Sequence, residues 1–186
     1  HLLPGPLNIV NEINDYSQLE SKFLLINKAI GYWQDVELLR KYKDFIISSM
    51  KNDEVLANAF NRQLVVPGKT ALHVRRGDYF HNKKVNKVHG VCSADYYQNA
   101  AKYVQSKVGN VQYFVFSNDI EWCKKNLKID NVIYMENEER NSPHEDIHLM
   151  SLCKHNIIDH SSFCWWGAWL NQNSNKIVVA PQRWFS

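Results

Sequence analysis

The chain has 186 residues, 45 % hydrophobic and 12 % aromatic, with a net charge of +3 and an isoelectric point of about 8.6. That is enough apolar material for one filled domain, or one domain and part of another, and disorder is not the default reading. The small basic excess, part of it in Lys83, Lys84 and Lys87, lacks the aromatic interleaving of a base-stacking surface, so nucleic acid is not an expected partner.

In chain order, "DVELLRKYKDFIISSMK" (35–51) and "DEVLANAFNRQL" (53–64) read as helices. They define an expected helical region over 1–66. From residue 67 onward the pattern changes. "TALHVR" is an apolar, β-branched strand behind the turn signal Pro67-Gly68. "SADYYQNAAKYVQSK" is a helix capped by Ser93 and stopped at Gly109-Asn110. Then come the strand "VQYFVFS", the helix "DIEWCKKNL", the strand "NVIYM" and the helix "SPHEDIHLMSLCKH". The strand "NIID", the helix "FCWWGAWLNQ" and the strand "KIVVAP" close the series. Strands alternating with helices predict parallel strands joined by crossover helices, an α/β Rossmann-like layer over 67–186.

Four cysteines, Cys92, Cys123, Cys153 and Cys164, stand singly, with no C-x-x-C pair. This spacing argues against zinc fingers and a disulfide scaffold and fits a reducing compartment. There is no Asn-x-Ser/Thr acceptor, no apolar run long enough to span a bilayer and no signal peptide ahead of His1, so a cytoplasmic location is expected. Any association with a membrane surface would have to be encoded elsewhere. A start at His1 without methionine leads to the expectation of a piece of a longer protein.

In an open parallel sheet, ligands bind beyond the carboxyl ends of the strands. The polar clusters fall there: Arg75-Arg76-Gly77-Asp78 after the first strand of the layer, Ser117-Asn118-Asp119 after the second and Ser161-Ser162 after the fourth. Guanidinium forks suit phosphate oxygens, and hydroxyls at a helix start add to the free N–H groups of its positive end. Together they predict a diphosphate pocket. No G-x-x-x-x-G-K-[ST] and no G-x-G-x-x-G is present, which disfavours a P-loop NTPase or a dinucleotide enzyme. No Asp-x-Asp pair is present to hold a metal against a nucleotide sugar, so the arginines are expected to do that work.

Three sharper readings compete. Arg76-Gly77-Asp78 spells an adhesion tripeptide, but it follows a buried-looking strand rather than a hairpin tip. "HEDIH" (144–148) matches the H-E-x-x-H of zinc hydrolases, yet no glutamate follows Glu145, and Ser142, Pro143 and Glu145 read as a capping box. Cys153 with His155 and Asp159 resembles a thiol nucleophile with its helpers, but a cysteine late in an amphipathic helix is ordinarily core. His73 reads as a core histidine or a ligand contact. Asp146 either favours a helix N-terminus or accepts from a base N–H, and Asp119 serves at least as a helix cap.

"HVRRGDYF", "YFVFSNDIEWCKKNL" and "DIHLMSLCKHNIIDHSSFCWWGAWL", in that order, resemble the three motifs of the α-1,2-fucosyltransferase family, with "IGYWQDVELL" upstream and "KIVVAPQRWF" downstream. The resemblance runs from about Gly31 to Phe185. It implies the C-terminal, donor-binding half of a two-domain GT-B-type glycosyltransferase. The implied reaction is inverting, metal-independent transfer of L-fucose from GDP-β-L-fucose to the 2-hydroxyl of a galactose-terminated acceptor in polysaccharide synthesis. A fucosyltransferase of another linkage is the alternative. Arg75 and Asp78 are the implied catalytic pair, Arg75 holding the β-phosphate. His73 and Asp146 are implied to read guanine. Arg76, Asn118, Asp119, Ser161 and Ser162 are implied to complete the donor site. The chain departs from the pattern at Asp159-His160, where many members carry a small or Asn-like residue. It also lacks the family's N-terminal glycine-rich block.

Overall fold

The computed structural model describes residues 8–11, 27–30, 36–50, 69–77, 90–136 and 143–182. The chain divides into two compact units, His1–Ser49 and Met50–Ser186. In the first, β1 (Asn8–Asn11) pairs in parallel with β2 (Asn27–Ile30), Asn8 opposite Asn27. These strands add to a region in which the sequence marks only helices. The long helix expected over 35–51 is two, α1 (Val36–Lys41) and α2 (Lys43–Met50). Each has its own acidic first turn, Glu37 and Asp44, complementing its own N-terminal dipole. The helix expected over 53–64 lies outside the described residues.

The second unit is built on a five-stranded, all-parallel sheet. Its strands are β3 (Lys69–Val74), β4 (Gln112–Ser117), β5 (Val132–Tyr134), β6 (His155–Ile157) and β7 (Val178–Val179), in the spatial order β5-β4-β3-β6-β7. The connecting helices are α3 (Ala94–Val108), α4 (Ile120–Asn126), α5 (Pro143–Leu152) and α6 (Ser162–Leu170). Local chemistry sets their ends. Ser93 Oγ accepts from the Tyr96 N–H at 3.2 Å, and Gly109, at φ 81°, donates back to the Gln105 carbonyl. Asp119 Oδ1 caps α4 through the Trp122 N–H at 3.2 Å.

Strand alternation sorts the core into two layers. Leu72, Val74, Tyr113 and Val115 pack with Tyr97, Ala101 and Val104 of α3 and Cys123 of α4. Ala71, Phe114 and Phe116 pack with Leu149 and Met150 of α5 and Cys164 and Ala168 of α6. Tyrosines stitch the first layer: Tyr113 Oη donates to the Ala101 carbonyl at 2.7 Å and Tyr96 Oη to that of Ile158 at 2.6 Å. Beneath the sheet's other end, Asn171 Nδ2 donates to Asn156 Oδ1 and to the Cys153 carbonyl, satisfying polar groups that burial would otherwise penalise.

Gly167 marks the closest approach of α5 and α6. A Cβ there would fall 2.8 Å from Met150 Cβ, which is rooted in the α5 backbone and cannot swing aside. Gly167→Ala is therefore expected to force the helices apart and to cost about 1–3 kcal/mol, read as a lower urea midpoint. An unchanged midpoint would show that the two helices slide freely.

His155 adds a pH dependence. Its Nδ1 accepts from the Ile177 N–H at 3.0 Å and so must be unprotonated. Burial, and then the Lys154 charge, hold its pKa below the ordinary 6.5; burial does the same to His148 of α5. The unfolded chain takes up these protons first, so stability is fully present above about pH 6.5 and falls as the pH drops below it. The melting temperature should be flat between about pH 7 and pH 8 and decline toward pH 5, with a shallower decline in His155→Gln. A profile flat down to pH 5 would contradict this.

Candidate functional site

The sheet order reverses beside β3, because β4 and β5 are added on one side and β6 and β7 on the other. The carboxyl ends of β3 and β6 therefore flank the switch point where such sheets open a crevice. Arg75 and Arg76 leave β3 there, and Asp159, His160, Ser161 and Ser162 lead from β6 into α6.

Asp159 occupies the centre. It is 2 % exposed, and its carboxylate collects donors from three elements. The backbone N–H of Arg75 donates to Oδ2, that of Ser161 to Oδ1 at 3.1 Å, and Tyr97 Oη to Oδ2 at 3.4 Å. His73 Nδ1 lies 3.3 Å from both oxygens, and Cys164 Sγ lies 3.2 Å from Oδ1. Burial by itself would raise the Asp159 pKa. The His73 ring, with the Arg75 and Cys164 hydrogen bonds, more than offsets this and holds it below the ordinary 3.8. An ionised carboxylate only accepts, so His73 Nδ1 carries a proton.

The carboxylate in turn acts on its neighbours. Burial first, and then the Asp159 charge, push the Cys164 thiol and the Tyr97 hydroxyl well up and Cys92 up to about 12, so all three stay protonated. Burial pushes Cys153 up to about 12 as well, and His155 is engaged with the Ile177 N–H, so the thiol-nucleophile reading finds no reactive sulfur.

His73, Asp159 and Cys164 are the group of potential metal ligands that forms among the described residues, their ligand atoms lying within 4.8 Å of one another. Both Asp159 oxygens already accept backbone N–H donors along with side chains, which leaves no lone pair directed at a cation. The histidines of "HEDIH" do not join them. His144 and Glu145 stand in the first turn of α5, beside Asp146.

Arg76 turns to the other side of the strand. Its guanidinium carbon lies 3.9 Å from the centroid of the Trp122 ring of α4, its Nε is 3.9 Å from Asp119 Oδ2, and its side chain is 11 % exposed. Its backbone N–H donates to Asn118 Oδ1 at 2.9 Å. At Gly77 a Cβ would come within 2.6 Å of the Asn118 amide nitrogen, so a larger residue there would push the Asn118 side chain aside. A guanidinium stacked on an indole cannot be displayed to a receptor, so the adhesion reading is set aside. Asp78 lies outside the described residues.

Ser161 is buried, and its Oγ caps α6 by accepting from the Phe163 N–H at 3.3 Å. Ser162, half-buried, opens the helix. His73 is 4 % exposed and packs on the Phe163 ring, centroids 5.4 Å apart. Thus Arg75, Ser161 and Ser162 gather at the β3/β6 mouth, His73 lies beneath it, and Arg76, Asn118 and Asp119 form the adjoining β3/β4 edge. Asp159, which joins the two strand ends, has no role in the sequence-level site.

The family model described as Glycosyl transferase family 11 matches residues 13–186. The chain belongs to this family. It is 37 % identical over 164 residues to the O-antigen biosynthesis glycosyltransferase WbnK of Escherichia coli, covering 84 % of this chain and 54 % of that one. It is 36 % identical over 163 residues to an alpha-1,2-colitosyltransferase of the same organism, covering 84 % and 55 %. To the galactoside alpha-(1,2)-fucosyltransferase 2 of Mus musculus it is 30 % identical over 135 residues, 69 % of this chain and 38 % of that one. The chain thus spans about half the length of the first two relatives. Among solved structures, POFUT1 in complex with GDP-fucose shares the fold at a TM-score of 0.52 and 12 % identity, over 88 % of this chain and 56 % of that one. The family 11 sheet therefore has the fold of the Rossmann-like layer of a GT-B-type protein.

Proposed function

We propose that this family 11 chain supplies the donor-binding half of an inverting α-1,2-fucosyltransferase. It takes GDP-β-L-fucose as donor and delivers fucose to the 2-hydroxyl of a galactose-terminated acceptor of a surface polysaccharide. The observation that carries the reading is the meeting of Arg75, beyond β3, with the serine-capped start of α6 at the sheet's switch point. A guanidinium fork and the free N–H groups of a helix N-terminus are complementary to a diphosphate.

Asp146, half-buried in the first turn of α5, is the proposed acceptor for the guanine N–H groups. His73 supports the site from below through Asp159. As the sugar–phosphate bond breaks, negative charge grows on the leaving diphosphate. Arg75 stabilises that charge more in the transition state than in the ground state, so no metal is required. Asp78 is the proposed carboxylate partner of this reaction.

Calorimetric titration with GDP-fucose and GDP in the presence of EDTA tests the proposal. Saturable binding of both that is insensitive to the chelator is the expected result. Binding that needs a divalent cation would overturn the metal-free mechanism, and no binding to the folded chain would overturn the donor assignment. The likeness to an alpha-1,2-colitosyltransferase favours a second reading, in which the donor carries colitose. Competition between fucosyl and colitosyl nucleotides for the same site separates the two.

A further inference from the structure

We infer that Asp159 is a positioning residue for the diphosphate end of this site, acting through the backbone of Arg75 and the first turn of α6. The inference rests on the donor reading above and assigns a residue that lies beneath the mouth rather than in it.

A buried carboxylate is costly unless its oxygens are met by donors, and here each is. The donors are not one local turn closing on itself. Arg75, just beyond β3, and His73 within it are 84 and 86 residues distant in sequence, and Tyr97 comes from α3, 62 residues distant. Ser161 and Cys164 come from the turn into α6 and from the helix itself. The two parallel strands pair only from Thr70 opposite His155 to Leu72 opposite Ile157. Beyond Leu72 and Ile157 no ladder holds the strand ends together, yet it is there that Arg75 and Ser161 must be presented to one ligand.

Asp159 takes over where the ladder stops. By accepting the Arg75 N–H it sets the direction in which the guanidinium leaves the backbone. By accepting the Ser161 N–H it fixes where the N-terminus of α6 begins. Its charge is answered from within by His73 and the other donors, and it is too deeply buried to meet a phosphate directly. Preorganisation of this kind favours ligands that carry the diphosphate and leaves the affinity for the nucleoside alone unchanged.

A double-mutant cycle on GDP and guanosine binding tests this, using wild type, Asp159→Ala, Arg75→Ala and the double variant. Asp159→Ala is expected to weaken GDP by about tenfold or more, the loss typical of a hydrogen bond made to a charged group. Guanosine should bind the variant as it binds wild type. Because Asp159 acts partly through Arg75, the loss in the double variant should be smaller than the sum of the two single losses. Additive losses, or equal losses for GDP and guanosine, would mean a purely structural residue and overturn the inference. Should Asp159→Ala show no cooperative melting transition, Asp159→Asn serves in its place. It keeps the volume, presents an amide to donors that need an acceptor, and carries the same expectations. A wild-type chain that binds GDP with an additive cycle removes this inference alone. A wild-type chain that binds no GDP removes the donor reading and this inference with it.

Discussion

Arg75→Ala is expected to weaken GDP and GDP-fucose binding by about 10- to 100-fold, since hydrogen bonds to charged groups are worth about 1.5–3 kcal/mol. The variant should still melt cooperatively. The structural contact to Asp159 is made by the Arg75 backbone N–H, which alanine retains. In a transfer assay the loss should be larger, about 10²–10³ in rate, because the guanidinium meets more charge as the diphosphate departs. Arg75→Lys should recover only part of either loss, a point charge replacing a fork. Arg76→Ala is the instructive contrast. It removes a guanidinium stacked on Trp122 at a cost to stability of about 0.5–1 kcal/mol, with little direct effect on diphosphate affinity. If the two variants exchange these phenotypes, the arginine roles are reversed. Titration calorimetry and thermal melts on the same samples decide it.

The fold of the second unit is legible in the sequence because its signals are local. Ser93 and Asp119 cap helices through N–H groups three residues on, and Gly109 stops α3 by adopting a positive φ that other residues resist. Apolar alternation along β4, with Tyr113 and Val115 to one side and Phe114 and Phe116 to the other, announces a strand covered on both faces. The location of the site follows from the same alternation, since polar residues at strand ends can face only the sheet's mouth. Asp159 is a different case. Its donors include Ser161 and Cys164 nearby in the chain, but those that tie it to β3 and α3 arrive from 62 to 86 positions away. Arg75 and Arg76 read alike in the sequence, yet the Arg75 backbone N–H goes to Asp159 while the Arg76 guanidinium stacks on Trp122, and neither long-range partner is marked locally. The pairing of β1 with β2, over four residues each, likewise depends on a partner 19 positions distant rather than on a pattern within either strand.

The largest stability loss should come from Phe114→Ala. Phe114 is fully buried in β4, which lies between β3 and β5, with Ala71 and Ile133 as its register partners. Its ring fills the layer between the sheet and α5, in one cluster with Leu149 and Met150, and the Lys69 ammonium lies 5.1 Å from its centroid. Alanine would leave a cavity bounded by strands that cannot collapse without breaking two ladders. The expected cost is about 3–5 kcal/mol, a large part of the 5–15 kcal/mol that typically separates folded from unfolded domains. Tyr113→Phe, one residue earlier on the opposite face, removes only the hydroxyl bonded to the Ala101 carbonyl and should cost about 1 kcal/mol. Urea denaturation of the two variants measures the order. A Phe114→Ala loss no larger than that of Tyr113→Phe would mean that the α5 face is not a packed core. Because Phe114 lies three residues short of the strand's carboxyl end at Ser117, whatever fraction of Phe114→Ala stays folded should bind GDP with wild-type affinity. Arg75→Ala should do the reverse, keeping its fold and losing its ligand, and that opposition separates the residues that build the sheet from those that the sheet presents.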